Sequence, residues 1–227
     1  MIPQSEDAAV RIDGLWEFDT ADKLFVFVHG LNADPALARD LAYTVERGLA
    51  EIRPIPGICY SWDSDTGWDT AKRIATGNGQ LLAAWLSQWA ETDGRPIHLI
   101  GYSLGARVSA EALRALNAMD RRNALRSVSL LGGAIPHDSV TRDGRYGDAI
   151  DAFDGPVNNF HSSADRVLGW VYRAAERTRA VGSHGSSDPT LAPSGYLDVD
   201  VTDIVADHYS YFTPGEGCLP QVVERLP

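Results

Sequence analysis

The residues best suited to chemistry stand together at Gly101-Tyr102-Ser103-Leu104-Gly105. A serine between two glycines, at this spacing, suits a nucleophile held on a turn too tight for side chains on either flank. In a chain of 227 residues with 21 glycines the string arises by chance about one time in ten, so its setting matters more than its letters. An apolar run, Ile97–Ile100, precedes it, and a helical pattern from Leu104 to Asn117 follows. That strand–turn–helix order would lift the Ser103 hydroxyl above a sheet, near the positive end of a helix. Two acidic groups call for comparison. Asp63, Asp65 and Asp69 have the alternation of a calcium loop, but Gly67 is out of register and Ile74 stands where a bidentate Glu belongs. Asp198, Asp200, Asp203 and Asp207 could hold a cation or orient their own loop, and both groups read better as solvated acidic surface. GxGxxG, Walker, HExxH and CxxC strings are absent, so neither a metal nor a cofactor is expected.

The elements needed to position Ser103 are legible around it. Leu24–Val28 is a continuous apolar run, suited to a strand covered on both faces, and it ends at His29-Gly30. Asp34-Pro35 then opens a helix to about Ala50, with Asp34 as cap and Pro35 in the first turn. Ile55–Tyr60 is a second strand. Trp68 to Glu91 is helical, with a break expected at Gly77-Asn78-Gly79 and with Leu81, Leu82, Trp85 and Trp89 toward the sheet. Strands are expected at Ile97–Tyr102, Ser127–Leu131, Val157–His161 and Tyr196–Val201. A helix follows over Asp165–Arg177, and a short terminal one over Gln221–Leu226. Val10–Phe18 could add one or two edge strands. Repeated strand–helix units without a linker predict one domain over 1–227, built on a mostly parallel sheet. Residues 178–196, rich in Gly, Ser and Pro, read as a long surface loop, either a lid at the rim of a site or an insertion away from it.

With those elements in place, the chain resembles the α/β-hydrolase superfamily from about Lys23 to Phe212. It carries His29-Gly30 after one strand, the serine turn after a later one, then an acid, then a histidine. Three segments further resemble a branch of uncharacterised hydrolase domains: Ser103-Leu104-Gly105-Ala106-Arg107-Val108, Ser163-Ala164-Asp165-Arg166-Val167-Leu168-Gly169, and Val199-Asp200-Val201-Thr202-Asp203 before His208. In eukaryotes such domains occur in transmembrane-and-coiled-coil proteins; this chain shows no such extra segments, so their membrane association is not carried over. The resemblance implies a Ser103–His208–Asp165 triad that cleaves carboxylic esters through an acyl-enzyme. It implies an oxyanion site from the backbone N–H groups of Leu31 and Leu104. His29 and Gly30 support that loop, and Gly101 and Gly105 support the serine turn. Asp165 also suits a helix cap, and Asp138 stands as a second candidate acid. His184 is a second candidate base; His98, His137 and His161 read as ordinary hydrogen-bonded histidines. The implied substrate is a small-molecule or lipid-like ester. Lipase or acyl-transfer activity, or a catalytically idle binding module, are the alternatives.

Composition narrows the setting. The chain carries 20 basic and 31 acidic residues, a formal charge of −11. A basic nucleic-acid footprint is missing, and the net charge argues against attraction to an anionic membrane. The basic residues are 18 Arg and only two Lys, Lys23 and Lys72, and the acids are 22 Asp and nine Glu. Arg-favouring codon usage and a salt-adapted surface account for this skew equally well. Cys59 and Cys218 make no disulfide framework; Cys59 reads as core and Cys218 as part of a Gly/Pro loop. No apolar run approaches a membrane span and the first ten residues lack a secretory pattern, so a soluble cytoplasmic protein is expected.

Overall fold

The computed structural model describes residues 20–227. The proposed edge strands at Val10–Phe18 lie outside them. Among the described residues six strands form one parallel sheet: β1 (Leu24–Val28), β2 (Gly57–Tyr60), β3 (Ile97–Tyr102), β4 (Ser127–Leu131), β5 (Val157–His161) and β6 (Tyr196–Asp200). Their order across the sheet is β2-β1-β3-β4-β5-β6. The chain therefore moves one way from β1 to β2, then hops back to β3 and continues the other way. Crossovers leave a crevice at the strand ends where the direction reverses, here between β1 and β3. His29-Gly30 and Ser103 follow those two strands.

Alternation along β1 explains the layers. Leu24, Val26 and Val28 join the core beneath α2 (Trp68–Thr92) and α3 (Gly105–Ala118). Phe25 and Phe27 join a second core with Val45 and Leu49 of α1 (Pro35–Ala50) and with α7 (Leu219–Glu224). Successive side chains of a strand point to opposite faces, so β1, covered on both sides, is apolar at every position. Asp34 caps α1 as expected, its Oδ1 accepting the N–H groups of Ala36 and Leu37 at 2.9 and 2.8 Å.

Helix α2 departs from expectation by running unbroken through Gly77-Asn78-Gly79. Gly79 lies against α3, where a Cβ would come within 2.3 Å of the Glu111 Cβ. Asn78 accepts the Tyr60 hydroxyl at 2.8 Å and donates to the Ile74 carbonyl at 3.0 Å. Close helix packing and a paired amide offset the low helix propensity of two glycines, about 1 kcal/mol each. Leu81 is solvent-exposed rather than turned to the sheet, and Leu86 joins Leu82 in the core. Strand β2 is shorter than expected at its start, and the terminal helix begins two residues earlier.

The segment 178–196 is also more ordered than its composition suggests. It holds α6 (Val181–His184) and a 3₁₀ turn at Pro189–Leu191. Its backbone pairs with 133–137: Val181 N–H donates to Ile135 O, Gly182 N–H to Gly133 O and His137 N–H to Arg179 O. Residues 180–183 are buried. Asp198 anchors the rest. Its Oδ2 accepts Ser186 N–H, and its Oδ1 accepts Asn159 Nδ2 and the Tyr196 hydroxyl. Asp198 is thus a bracing carboxylate rather than solvated surface. Cys59 and Cys218 are both free thiols and both buried; Cys218 lies in the loop that leads into α7, with its side chain in the core.

Candidate active site

The serine turn has the geometry its glycines demand. Ser103 sits at φ +53°, a left-handed conformation that costs a non-glycine residue roughly 1–3 kcal/mol and clusters at functional sites. A Cβ on Gly105 would lie 2.2 Å from the Val28 carbonyl oxygen, and one on Gly101 would lie 2.5 Å from the Ser109 Oγ. A Cβ on Gly30 would approach the Ser103 Cβ to 2.8 Å. The strained residue is clamped by Ser103 N–H donating to Leu131 O and by Ser103 O accepting from Ala134 and Ala106.

His208 and Asp165 come to Ser103 from distant points of the chain. The Ser103 hydroxyl and His208 Nε2 are 2.9 Å apart, and His208 Nδ1 is 2.6 Å from Asp165 Oδ2. All three side chains are buried, Asp165 completely. Asp165 divides its two candidate roles between its two oxygens. While Oδ2 faces the imidazole, Oδ1 accepts the Leu168 N–H at 3.0 Å and caps the following helix. That helix is π-wound over Val167–Tyr172 and continues as α5 (Arg173–Glu176), ending at Arg177 with φ +57°. Asp138 lies in a separate turn where its carbonyl accepts from Thr141, and His184 lies in α6; neither joins the His208 contacts.

His29 braces the adjoining loop. Its Nδ1 donates to Gly30 O at 2.9 Å, and its Nε2 accepts Trp62 N–H at 3.1 Å. Trp62 Nε1 returns a bond to His29 O at 3.0 Å, and the two rings stack. Burial pushes the His29 pKa down to about 4, which keeps the ring neutral and able to accept from Trp62. The N–H groups of Leu31 and Leu104 have no acceptor among the described residues; Leu31 lines the cavity at Ser103, and Leu104 follows Ser103 directly in the chain.

Two tyrosines complete the site without having been singled out from the sequence. The Tyr102 hydroxyl donates to the His208 carbonyl at 2.8 Å, and its ring packs 5.2 Å from the imidazole. The Tyr211 hydroxyl lies 3.1 Å from Gly182 O and 3.4 Å from Asp165 Oδ2. Burial drives both phenols far above their ordinary pKa, so both remain donors. Their signal was adjacency: Tyr102 lies inside the serine string and Tyr211 three residues past His208.

A cavity of about 660 Å³ opens on Ser103 and His208. Its walls are apolar, with Leu37, Leu41, Trp68, Leu168, Tyr172 and Phe212 among them. They come from α1, the start of α2, the π-wound helix and the turn after His208. No residue of 178–196 lines it. Of the two readings open for that segment, the pairing beside 133–137 favours the one away from the site, and the helix that starts at Asp165 forms the wall.

A parallel sheet with a serine turn, a following acid and a late histidine defines an α/β-hydrolase fold. Within that class the chain belongs to the DUF726 family, described as a protein of unknown function, whose model matches residues 25–222. The chain is 31% identical over 163 residues to the transmembrane and coiled-coil domain-containing protein STS1 of Oryza sativa subsp. japonica, covering 71% of this chain and 23% of that protein. It is 29% identical over 147 residues to an uncharacterized membrane protein of Schizosaccharomyces pombe, covering 65% and 18%. The chain thus spans about a fifth of the length of these curated relatives. Among solved structures, a lipase-esterase related protein from Clostridium acetobutylicum superposes with a TM-score of 0.60 at 13% identity, covering 96% and 100% of the two chains. YbtT, a type II thioesterase of the yersiniabactin pathway, gives 0.58 at 16% identity, covering 96% and 98%. At these identities the likeness is one of fold.

Proposed function

We propose that the protein is a serine hydrolase that cleaves carboxylic esters with a large apolar acyl group. The observation that carries this reading is the unbroken chain Ser103 Oγ–His208 Nε2 and His208 Nδ1–Asp165 Oδ2, at 2.9 and 2.6 Å, opening on an apolar cavity of about 660 Å³. Nδ1–H donation to Asp165 leaves the Nε2 lone pair facing the serine, the tautomer a general base requires. Ser103 Oγ attacks the acyl carbon while His208 takes its proton. The carbonyl π electrons move to oxygen, and the N–H groups of Leu31 and Leu104 hold the resulting oxyanion. His208 gives the proton to the departing alcohol as the C–O bond breaks. Water then repeats the sequence on the acyl-enzyme and releases the acid. Asp165 orients the imidazole and stabilises its positive charge, and Tyr102 holds the backbone of His208. The structural neighbours include lipases and a thioesterase by title, which fits acyl chemistry on this fold.

A fluorophosphonate probe should label the wild-type chain at Ser103 and fail to label Ser103→Ala. The variant should retain the fold and lose several orders of magnitude in kcat, because members of such a triad act as a unit. A p-nitrophenyl ester series assayed alongside acyl thioesters then ranks chain length and leaving group. Hydrolysis by Ser103→Ala within tenfold of wild type would sink the assignment.

A further inference from the structure

The helix that walls the cavity carries an exposed surface that the hydrolytic reading does not use. Trp170 is 77% exposed and Val171 65%, at the outer face of the π-wound segment. Val171 also lines the cavity, so this apolar tip continues directly into its mouth. Tyr209, 73% exposed, stands beside His208 at the same mouth. A tryptophan presented so openly to water is an outlier for a side chain with that apolar area.

Charge around the tip runs against the rest of the molecule. Arg166, Arg173, Arg177 and Arg179 are all exposed, and none enters an ion pair among the described residues. The one carboxylate in 166–179, Glu176, is turned inward. Its Oε1 accepts from Trp68 Nε1 at 2.6 Å and from Lys72 Nζ at 2.5 Å, which pins the helix to α2. In a chain of net charge −11 this is a local run of exposed arginines along and just beyond the helix that carries the apolar tip. On the other side of the mouth Asp34, Asp40 and Asp207 are exposed and outnumber the exposed Arg39 there, so the helix side is the more basic of the two.

We propose that the helix Val167–Glu176 and its flanking arginines dock on an anionic phospholipid surface, with Trp170 and Val171 inserted and the arginines on the headgroups. Tryptophan favours the boundary between headgroup and acyl chain, and an arginine near an anionic leaflet contributes about 1 kcal/mol, a roughly fivefold gain in affinity. The net charge is no obstacle, because such attraction acts within about a Debye length of the contact. The acidic opposite rim tilts the molecule so that the helix leads. An apolar ester could then pass from the bilayer into the cavity past Val171 without crossing water. The Asp165 Oδ1 cap joins this same helix to the residue that holds His208.

The test measures binding, not turnover, and uses the Ser103→Ala full chain, so its outcome is independent of the hydrolytic reading. Vesicles of phosphatidylcholine alone, and of phosphatidylcholine with about one third phosphatidylglycerol, are the probes. Sedimentation should carry the protein with the anionic vesicles far more than with the neutral ones, and about 0.5 M KCl should release it. Arg173→Gln with Arg177→Gln should weaken binding about tenfold or more, and Trp170→Ser by a similar factor. Both variants keep the cavity lining intact, and their unchanged melting curves would show intact folding. Absence of vesicle binding by the parent, or variants that bind as the parent does, would overturn the proposal. A parent that forms a dimer dispersed by Trp170→Ser, without vesicle binding, would assign the tip to a second copy of the chain instead.

Discussion

Asp165 concentrates two jobs in one carboxylate, and each oxygen has its own partner. Replacing it with Asn keeps an oxygen for the Leu168 N–H but can set an amide N–H against His208 Nδ1, the wrong partner for a ring that must donate there. Asp165→Asn is therefore expected to lose about 10³–10⁴ in kcat with little change in melting temperature, and Asp138→Asn to stay near wild type. Steady-state kinetics on a short-chain ester decide the ranking; the reverse order would move the acid to Asp138. Gly30 offers a second, independent residue-scale test. Its hydrogen faces the Ser103 Cβ, and a methyl group would meet that atom at 2.8 Å. Gly30→Ala should push the serine off its line to His208 and lower kcat by about 10², since displacements near 1 Å cost that much. The effect should fall on kcat rather than on KM, because the apolar walls that bind substrate are untouched.

At the scale of elements, the cavity wall and the segment 178–196 should respond differently to change. Replacing 186–194 with a short Gly/Ser linker removes the Pro189–Leu191 turn and the Asp188 side chain that caps it, so it should lower stability while leaving chain-length preference intact. Leu168→Ala opens the wall and should shift preference toward bulkier acyl groups, at a cost of about 2–5 kcal/mol in stability. An ester series run on both proteins tells them apart. Composition left two roles open for 178–196, and the reason it could not choose is physical. Gly, Ser and Pro advertise a departure from regular periodicity, but they say nothing about backbone pairing with a distant turn such as 133–137. Strand β1 and the serine turn were legible because β1, buried on both faces, is apolar throughout and because a φ of +53° at Ser103 requires small neighbours. The π-wound stretch was not, since Val167–Tyr172 has the same letters as an ordinary helix. The continuity of α2 through Gly77-Asn78-Gly79 was hidden for the converse reason: its compensation lies on α3 and in Tyr60, remote in sequence. Asp165 and His208 were reachable only through the order in which such residues follow the serine in similar chains; spacing alone left Asp138 and His184 open.

At the scale of the whole molecule, protons and salt should act in separable ways. Burial holds both His29 and His98 down to about 4, against 6.5 for a free imidazole. Between those values the unfolded chain binds protons that the folded one refuses, so stability is complete above pH 6.5 and declines as the pH falls toward 4. Glu111 and Glu176, held below their ordinary value by Arg145 and Lys72 against burial, add their own loss only below about 4.5. His98→Asn should therefore flatten roughly half of the fall in urea midpoint between pH 6.5 and 5. Salt acts on the surface instead. With 31 acids against 20 bases, repulsion among carboxylates outweighs pairing on average, and aspartates are too short to swing apart. The cationic patch at 166–179 leaves the remaining surface more acidic still. The screening length shrinks from about 10 Å at 0.1 M to about 3 Å at 1 M, so repulsion across the surface should fade over that range. The melting temperature is expected to rise by several degrees between about 0.1 and 2 M KCl, with ester hydrolysis preserved. Chloride is the informative anion, because sulfate strengthens apolar burial in any protein. A flat curve in KCl would mean that the arginines already neutralise the surface locally, leaving the scarcity of lysine to codon usage.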